Sequence, residues 1–386
     1  ASNPAYYTYL DIQRSFQTDS SIWNNTAPTD SVFTVGAGND SNGVNLTYVA
    51  YLFAHNDGDG EFGPDSDQDI IKCGSYTGSS SDQLIDLGFE PQWLMVKSSS
   101  FSQDWVLFDT MRGLTNLNSE RLVANDSSAG ANSTGFPIPI SADGFSIDAS
   151  KVSSALNSNG QTYIYMAIRR GPLAPPEAGT EVFATDHRGS SAATAAGTSY
   201  YSGFPVDMTF GRNRTYAGGN TSVYDRLRGD KNLFTDLTNA EGTASYYLDS
   251  NTGFWGSTQS ENTAQSAWMW KRAPSFFDVG AYSGTGANRT ISHNLGVAPE
   301  MVWFKSRSST VDWIVYHKDL GGSYPSSRNY LYLNQSSGVV TPYQPFTSAP
   351  TASTMALSAS SGTNSSGVNY IAYLFATLAG VSKVGS

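Results

Sequence analysis

The strongest constraint on the fold of this chain is an internal repeat. Residues 87–98 recur as residues 295–306, and each copy opens with a Leu-Gly-x-x-Pro pattern. The same offset of 208 residues carries the Asp-Trp pair at residues 104–105 onto residues 312–313. Self-similarity at a fixed offset is typical of chains built from stacked structural units, so the repeat must be read before any local propensity.

Two further copies are divergent or incomplete. The Asp-Arg-Leu-Arg-Gly sequence at residues 225–229 echoes residues 109–113 and marks a divergent unit between the two similar ones. Residues 48–54 repeat residues 370–376, so the first part of the chain corresponds to the second half of a unit. The expected organisation is therefore the C-terminal part of a unit at residues 1–56, an acidic linker at 57–68, a unit at 69–173, a divergent unit at 174–275, a unit at 276–377, and the start of a further unit or a tail at 378–386.

The local pattern favours β-structure. Short β-prone runs, such as residues 301–304, 313–316 and 370–375, alternate with clusters of Gly, Pro, Asn and Ser. Alternation of tyrosine with apolar residues at 163–166 predicts strands with one buried face. We expect an all-β chain, a serial array of small antiparallel β-sandwich (jelly-roll-like) units of about 100 residues. A propeller is the competing geometry, but propeller blades are usually about half this length.

Charge and cysteine content limit the partners and the compartment. The net charge of −11, without a Lys/Arg cluster, argues against nucleic acid. The single cysteine, Cys73, excludes an internal disulfide framework, which fits folding in a reducing cytoplasm. The most apolar stretches, residues 48–54 and 370–380, are shorter than the ~20 residues of a membrane helix, so we expect no membrane insertion. The N-terminal residues show no signal-peptide pattern.

The repeat motifs resemble a known family. Gly-Ser-Tyr-Thr-Gly at residues 74–78, Leu-Gly-x-x-Pro at 87–91, Asp-Trp at 104–105 and the tyrosine-rich strand at 163–168 are together similar to an uncharacterised repeat domain. That domain recurs in tail-fibre and other virion structural proteins of tailed bacteriophages, marine ones especially. The divergent unit departs from its pattern at residues 203–208.

The resemblance implies a function without catalysis. The shared motifs consist of turn and core residues, and the family has no catalytic pattern to transfer. It implies a non-enzymatic structural protein of a virion appendage, a tail fibre or similar part, located on the virion or outside the cell. The expected partners are further copies of the chain, other virion proteins and host-surface glycans.

Two other functions fit the same sequence. One is a subunit of an extracellular filament or adhesin, whose incomplete first unit is completed by strands from a neighbouring subunit. The other is a glycan depolymerase, which would need two carboxylates converging in one groove. Asp104 with Asp109 and Asp225 with Asp249 are the candidate pairs, but they recur partly at equivalent repeat positions, which favours turn capping over catalysis.

An acidic segment between two units is a candidate calcium site. Alternate carboxylates with interleaved glycines let a loop place hard oxygen ligands around one cation. The candidate ligands are Asp57, Asp59, Glu61, Asp65, Asp67 and Asp69. The match to a calcium loop is partial, because the spacing to a bidentate glutamate is not met. The alternative is a solvated acidic linker.

Tryptophans provide the candidate glycan contacts. Indole rings beside polar groups can stack on sugars while their neighbours bind the hydroxyls. Trp255, Trp268 and Trp270 belong to the divergent unit and are the predicted glycan-binding residues. Trp105 and Trp313 recur at equivalent positions, which predicts that they anchor a core instead.

Overall fold

The computed structural model describes residues 4–55, 62–63, 66, 68–114, 119–130, 136–215, 219–244, 246–256, 264–324, 328–341 and 345–386. Within these residues the chain is nearly all β, and every strand pairing is antiparallel. The predicted all-β antiparallel fold is confirmed. No helix of the described residues is both long and apolar enough to cross a membrane.

The strands fall into four stretches, called here the N-terminal segment (residues 4–55), the first unit (69–173), the middle unit (174–275) and the last unit (276–377). The N-terminal segment contains β1 (Tyr6–Tyr7), β2 (Gln17–Thr18), α1 (Ser20–Trp23) and α2 (Asn39–Asn42). The first unit contains β3 (Ile71–Thr77), β4 (Gln83–Asp86), β5 (Pro91–Ser98), β6 (Val106–Asp109), β7 (Leu122–Val123), β8 (Ile140–Ser141), β9 (Gly144–Ile147) and β10 (Thr162–Arg169).

The other two units follow the same plan with small additions. The middle unit contains a 3-10 turn (Gly179–Glu181), β11 (Phe183–His187), α3 (Ser191–Ala196), β12 (Tyr200–Tyr201), β13 (Met208–Asn213), β14 (Ser222–Asp225), β15 (Lys231–Phe234), β16 (Gly242–Thr243), β17 (Gly253–Phe254) and β18 (Gln265–Trp270). The last unit contains β19 (Phe277–Ser283), β20 (Arg289–Ser292), β21 (Met301–Ser306), β22 (Ile314–His317), a 3-10 turn (Lys318–Leu320), β23 (Leu331–Tyr332), β24 (Thr354–Leu357), α4 (Ser361–Asn364) and β25 (Asn369–Phe375).

One strand order is common to the three large sheets. The orders are β3-β10-β5-β6-β7, β11-β18-β13-β14-β15-β16 and β19-β25-β21-β22-β23. In each sheet the final strand of the unit (β10, β18 or β25) lies between the first strand of the unit (β3, β11 or β19) and a third strand (β5, β13 or β21). The final strand is therefore central, and it depends on neighbours on both sides for its backbone hydrogen bonds.

Smaller sheets cover the large ones and close the cores. In the first unit the small sheet is β4-β9-β8, and its Ile85 and Phe145 pack with Val96 and Val106 of the large sheet. The ring of Phe145 meets that of Tyr165 edge-on, with centroids 5.8 Å apart. Face-to-face packing of two sheets through interdigitated apolar side chains is the geometry of a β-sandwich.

The strand β25 is buried on both faces, unlike a strand that has one solvated face. Its Ala372 and Leu374 lie in the core of the last unit. Its Ile371 and Tyr373 point the other way and pack with Val223 and other apolar residues of the middle unit. The alternation predicted one buried face, and the second face is covered because a neighbouring unit packs against it.

Candidate interfaces and candidate glycan-binding surface

A hairpin of one stretch docks on a tryptophan of the next. The indole Nε1 of Trp313 donates a hydrogen bond to the backbone oxygen of Phe234 at 2.8 Å. The indole Nε1 of Trp105 donates to the backbone oxygen of Tyr9 at 2.7 Å. The middle unit thus docks on the last unit as the N-terminal segment docks on the first. We call this contact the tryptophan lock.

The two docked hairpins match residue for residue. β1 and β2 pair Tyr6 with Thr18, and β15 and β16 pair Lys231 with Thr243, an offset of 225 residues at both positions. Each lock has a second hydrogen bond, which joins two backbone atoms. Phe16 N donates to Ser99 O at 3.0 Å, and Glu241 N donates to Arg307 O at 2.8 Å. The repeat therefore reproduces an interface between units as well as a fold.

Each lock tryptophan is held by an asparagine and an aspartate. The backbone N–H of Trp105 donates to Asn125 Oδ1 at 2.9 Å, and the Asn125 amide donates to Asp104 at 2.7 Å. The last unit repeats both bonds, from Trp313 N to Asn334 Oδ1 at 2.9 Å and from Asn334 Nδ2 to Asp312 Oδ1 at 2.7 Å. The recurring Asp-Trp pair is thus an anchor between units.

The middle unit has no tryptophan at this position. Thr221 stands immediately before β14, and its backbone N–H donates to Asp236 Oδ1 at 3.1 Å in the way that Trp105 N donates to Asn125. The turn geometry is kept, but a threonine cannot reach a neighbouring backbone as an indole does. The joint between the first and middle units therefore uses other contacts.

A buried charge network forms that joint. Arg272 of the middle unit donates through Nη1 to Glu90 of the first unit at 2.8 Å, and its Nε lies 3.5 Å from Asp207. Arg226 lies 3.4 Å from the same Asp207 carboxylate. Arg272 has no exposed surface, so its charge is stable only because carboxylates surround it.

The last unit joins the same network. Its Asp278 lies 3.6 Å from Arg170 of the first unit, and the Asn294 side chain donates to Glu90 at 2.9 Å. Burial acts to raise the pKa of Asp207. The positive charges of nearby guanidinium groups, of which Arg272 has the largest effect, outweigh burial and hold this pKa below its usual value. Burial raises the pKa of Asp278, and Arg170 and Arg272 offset this only in part. The three units thus meet at one buried electrostatic centre.

Three of the four candidate catalytic carboxylates have structural roles, whereas the fourth, Asp249, is exposed and lines the cavity described below. Asp104 belongs to the tryptophan lock and also accepts a hydrogen bond from Gln13 at 2.6 Å. Asp109 pairs with Arg112 at 2.5 Å within its own turn. Asp225 is fully buried and pairs with Arg228 at 2.5 Å, and Tyr373 of the last unit donates to it at 2.5 Å. These contacts agree with the turn-capping interpretation of the recurring aspartates.

A buried lysine accompanies the lock in the last unit. Lys305 has no exposed surface, and its Nζ donates to the backbone oxygens of Thr238 at 3.1 Å and Ser306 at 2.9 Å. Burial, together with the positive charge of Arg228, lowers the pKa of Lys305 to about 8. The ammonium therefore titrates close to neutral pH.

We expect this titration to appear in the stability of the protein. An unfolded lysine has a pKa near ~10.4, so between about pH 8 and 10 the unfolded chain binds more protons at this position than the folded chain. The contribution of Lys305 to the free energy of unfolding should therefore increase as the pH rises from 8 to 9.5. Urea unfolding of the wild type and of Lys305→Met across this range measures the effect. Identical pH slopes for the two proteins would contradict the lowered pKa.

The predicted calcium loop lies mostly outside the described residues. Of its candidate ligands only Asp69 is described, and it is half-buried; Asp57, Asp59, Glu61, Asp65 and Asp67 fall outside. Among the described residues, no group of three or more His, Cys, Asp or Glu side chains could hold a metal ion. Calcium binding by this loop stays a prediction.

The three predicted glycan-binding tryptophans occupy different surroundings. Trp270 is half-buried, with its ring 4.9 Å from that of Phe183 and 5.0 Å from that of Phe210. Phe210 in turn stacks on Trp303 of the last unit at 5.7 Å. Trp270 thus contributes to packing between units. Trp268 is exposed on the same strand, and Trp255 is exposed elsewhere.

Trp255 has an exposed aromatic partner that the sequence pattern did not reveal. Tyr247 and Trp255 exchange two backbone hydrogen bonds, at 3.1 and 3.0 Å, so they lie directly opposite each other in an antiparallel bridge. Residues opposite in such a pair project their side chains to the same face. Tyr247 is 55% exposed and Trp255 is 43% exposed. We call this pair the aromatic platform.

A cavity adjoins the aromatic platform. Its volume is about 680 Å³, and Tyr247 forms part of its lining. The lining also includes five basic residues, Arg112, Arg226, Arg228, Lys231 and Arg307. Three carboxylates, Glu120, Asp230 and Asp249, also line the cavity, so the lining presents both donors and acceptors. An aromatic surface beside a polar cavity has the composition of a carbohydrate-binding site.

Residues 48–54 form the largest departure from the repeat. Their counterparts in the first and last units are the central strands β10 and β25, yet here they belong to no sheet. Tyr51 is 81% exposed and Val49 is 77% exposed, whereas the equivalent β25 residues Tyr373 and Ile371 have no exposed surface. The described residues supply no neighbouring strand on either side, so the apolar side chains stay in solvent. We call residues 48–54 the free strand.

The comparisons with known proteins identify a family. A comparison with curated proteins and one with solved structures gave no match. A model of a domain of unknown function, DUF7483, matches residues 2–172 and 182–386. Each matched stretch holds one docked hairpin and the tryptophan-bearing unit that receives it. Since the match extends over nearly the whole sequence, the chain belongs to the DUF7483 family.

Proposed function

We propose that this chain is a non-enzymatic structural protein of a bacteriophage appendage, a tail fibre or similar virion part, that contributes to attachment to host-surface glycans. The observation that carries the structural role is the tryptophan lock, which recurs with the same hydrogen bonds at two joints. The lock fixes how the N-terminal segment sits on the first unit and how the middle unit sits on the last, and the buried charge network connects the first and middle units, which favours a stiff array. The phage assignment is supported by the resemblance of the repeat motifs.

The packing between units favours a structural role over an enzymatic one. The units share a buried charge network and an aromatic cluster, so relative motion would expose charges and rings together. Enzymes that close on a substrate draw on weakly packed, mobile elements. The extended contact between these units favours a structural role.

The virion assignment can be tested on purified particles. Antibodies raised against the chain, detected with gold in electron micrographs of phage from an infected culture, should label the appendages, and mass spectrometry should find the chain in the particles. Label on filaments in fractions without virions would contradict the proposal. It would favour the second candidate, a subunit of an extracellular filament or adhesin. The exposed free strand supports that candidate, because a strand of a neighbouring subunit can pair with it.

The proposed attachment to glycans can be tested by mutating the aromatic platform. Replacing Tyr247 and Trp255 with alanine should weaken binding of the chain to host polysaccharide at least tenfold, which corresponds to about 1.4 kcal/mol, because the stacking surface is lost. Glycan arrays or affinity electrophoresis provide the measurement. The control is Phe33→Ala, which removes an aromatic ring of similar exposure in the N-terminal segment.

Unchanged binding in the double variant would exclude the aromatic platform. The same incubations separate attachment from depolymerisation, because a depolymerase would release oligosaccharides whereas a binding protein leaves the polysaccharide intact.

A further inference from the structure

The aromatic platform belongs to a small sheet whose strand pairing recurs in the three units. In the first unit β4 pairs Asp86 with Gly144, and in the middle unit β12 pairs Tyr201 with Gly253. A Cβ added to either glycine would collide with a backbone oxygen of the paired strand, so both pairs share the same close approach. In the last unit β20 and β24 pair in the same way, with Ser292 at the position of Asp86 and Tyr201. The repeat therefore allows these sheets to be compared residue by residue.

Three positions on the outer face of this sheet carry aromatic rings in the middle unit and in neither of the others. The first lies opposite Gly253, the second follows Gly253 by two residues, and the third is the backbone hydrogen-bond partner of the second. In the middle unit they are Tyr201, Trp255 and Tyr247. The equivalents are Asp86, Ser146 and Pro139 in the first unit, and Ser292, Ala356 and Thr347 in the last. Two units thus form the same sheet without aromatic side chains here, so the fold does not require the three rings.

The three rings are exposed and separate from one another. Tyr201 is 38% exposed, close to the values of Trp255 and Tyr247. Tyr201 and Trp255 are diagonal neighbours on one face of the sheet, a position in which Cα atoms lie about 7–8 Å apart. The hydroxyl oxygen of Tyr201 lies 3.5 Å from the place of an added Cβ on Gly203, so its ring leans away from Trp255. Each ring therefore offers a stacking surface of its own.

A carboxylate lies beside the rings. Asp249 is exposed and follows Tyr247 by two residues, with the buried Leu248 between them, so Tyr247 and Asp249 project to the same side. Both residues line the cavity of about 680 Å³. A carboxylate accepts hydrogen bonds from hydroxyl groups, which a sugar carries around the edge of its ring. The surface therefore combines apolar faces for sugar rings with an acceptor for their hydroxyls.

We propose that Tyr201, Trp255 and Tyr247 form one stacking surface, called here the aromatic strip, that binds several successive sugars within an extended polysaccharide chain. Tyr201 is thereby a third glycan-contacting residue, and Asp249 accepts hydrogen bonds from the sugar hydroxyls. Adjacent strands lie about 4.8 Å apart, so rings carried by three strands extend beyond the width of one sugar. The proposal rests on the glycan attachment proposed above and adds the form of the ligand, a chain and not a single terminal sugar.

The dependence of affinity on chain length tests the aromatic strip. Isothermal titration calorimetry of the full-length chain with cello-, malto-, xylo- and manno-oligosaccharides of two to six sugars provides the measurement. In a series that binds, affinity should rise at least tenfold from the disaccharide to the hexasaccharide, because a longer chain reaches more rings. Tyr201→Ala should reduce this gain at least threefold. Ser292→Ala changes the equivalent position of the last unit and should leave the gain unaltered.

Three outcomes would overturn the proposal. One is equal affinity for the disaccharide and the hexasaccharide in every series, and another is the absence of binding in all of them. The third is an unaltered gain in Tyr201→Ala with a native circular dichroism spectrum. Binding of the wild type to host polysaccharide is measured separately. Where that polysaccharide binds and the gain with length is absent, the aromatic strip is excluded while attachment to glycans stands.

Discussion

Replacing Trp313 with alanine is expected to lower the free energy of unfolding by about 3–5 kcal/mol. The side chain has no exposed surface, its ring lies 6.2 Å from that of Tyr373, and its Nε1 holds the hairpin of the middle unit. The substitution removes a large buried ring and leaves the backbone oxygen of Phe234 without its donor. Urea unfolding monitored by circular dichroism measures the change.

Two further variants separate packing from hydrogen bonding in the lock. Trp313→Phe keeps most of the ring and removes the indole donor, so a loss of about 1–3 kcal/mol is expected. Trp105→Ala changes the equivalent residue, which is only half-buried, and should cost less than Trp313→Ala. A loss below about 1 kcal/mol for Trp313→Ala would contradict the anchoring role.

Replacing Arg272 with methionine is the second change with a large expected effect. Removing one partner of a buried ion pair typically costs about 3–5 kcal/mol, because the remaining charges stay buried without compensation. Here Glu90 and Asp207 would lose the guanidinium that lies between them. The comparison variant is Arg112→Met, since Arg112 pairs with a partly exposed Asp109 and serves a single turn.

The pH dependence gives the Arg272 prediction a distinct signature. In the wild type, Asp207 has a pKa below its unfolded value of about 3.9, so its stabilising contribution is complete above roughly pH 4 and is lost as the pH falls through the lower folded pKa. In Arg272→Met this contribution is largely missing at neutral pH. The difference in unfolding free energy between the two proteins should therefore shrink as the pH falls from 7 to 3. A difference that stays constant would show that lost packing, not lost charge, causes the effect.

Recurring residues predicted most strands correctly, and residues 48–54, which belong to no sheet, are the exception. The strands observed at Met301–Ser306, Ile314–His317 and Asn369–Phe375 agree within two residues at each end with the β-prone runs at 301–304, 313–316 and 370–375. The Asp-x-x-Arg-Gly echo also has a structural basis. Arg112 and Arg228 each donate, through backbone N and Nε, to the aspartate three residues earlier.

The contacts between units could not be predicted in the same way. Recurrence indicated that Trp105 and Trp313 are anchors, but the acceptors, Tyr9 and Phe234, contribute backbone oxygens that no side-chain pattern reveals. The charge network draws Glu90, Asp207 and Asp278 from three units that lie far apart in sequence. Trp255 was a predicted glycan contact, but its partner Tyr247 became apparent only from the strand pairing.

The absence of a tryptophan before β14 has a consequence for how such genes can change length. Locks join the N-terminal segment to the first unit and the middle unit to the last, while the middle unit itself has Thr221 at the position of the lock tryptophan. A duplication or deletion of a single unit would place a hairpin against a unit that cannot receive it. The gain or loss of two units together leaves each lock tryptophan opposite the backbone oxygen that accepts its hydrogen bond. The two lock tryptophans of this chain are 208 residues apart. Recombination within this family should therefore lengthen or shorten the array in steps of two.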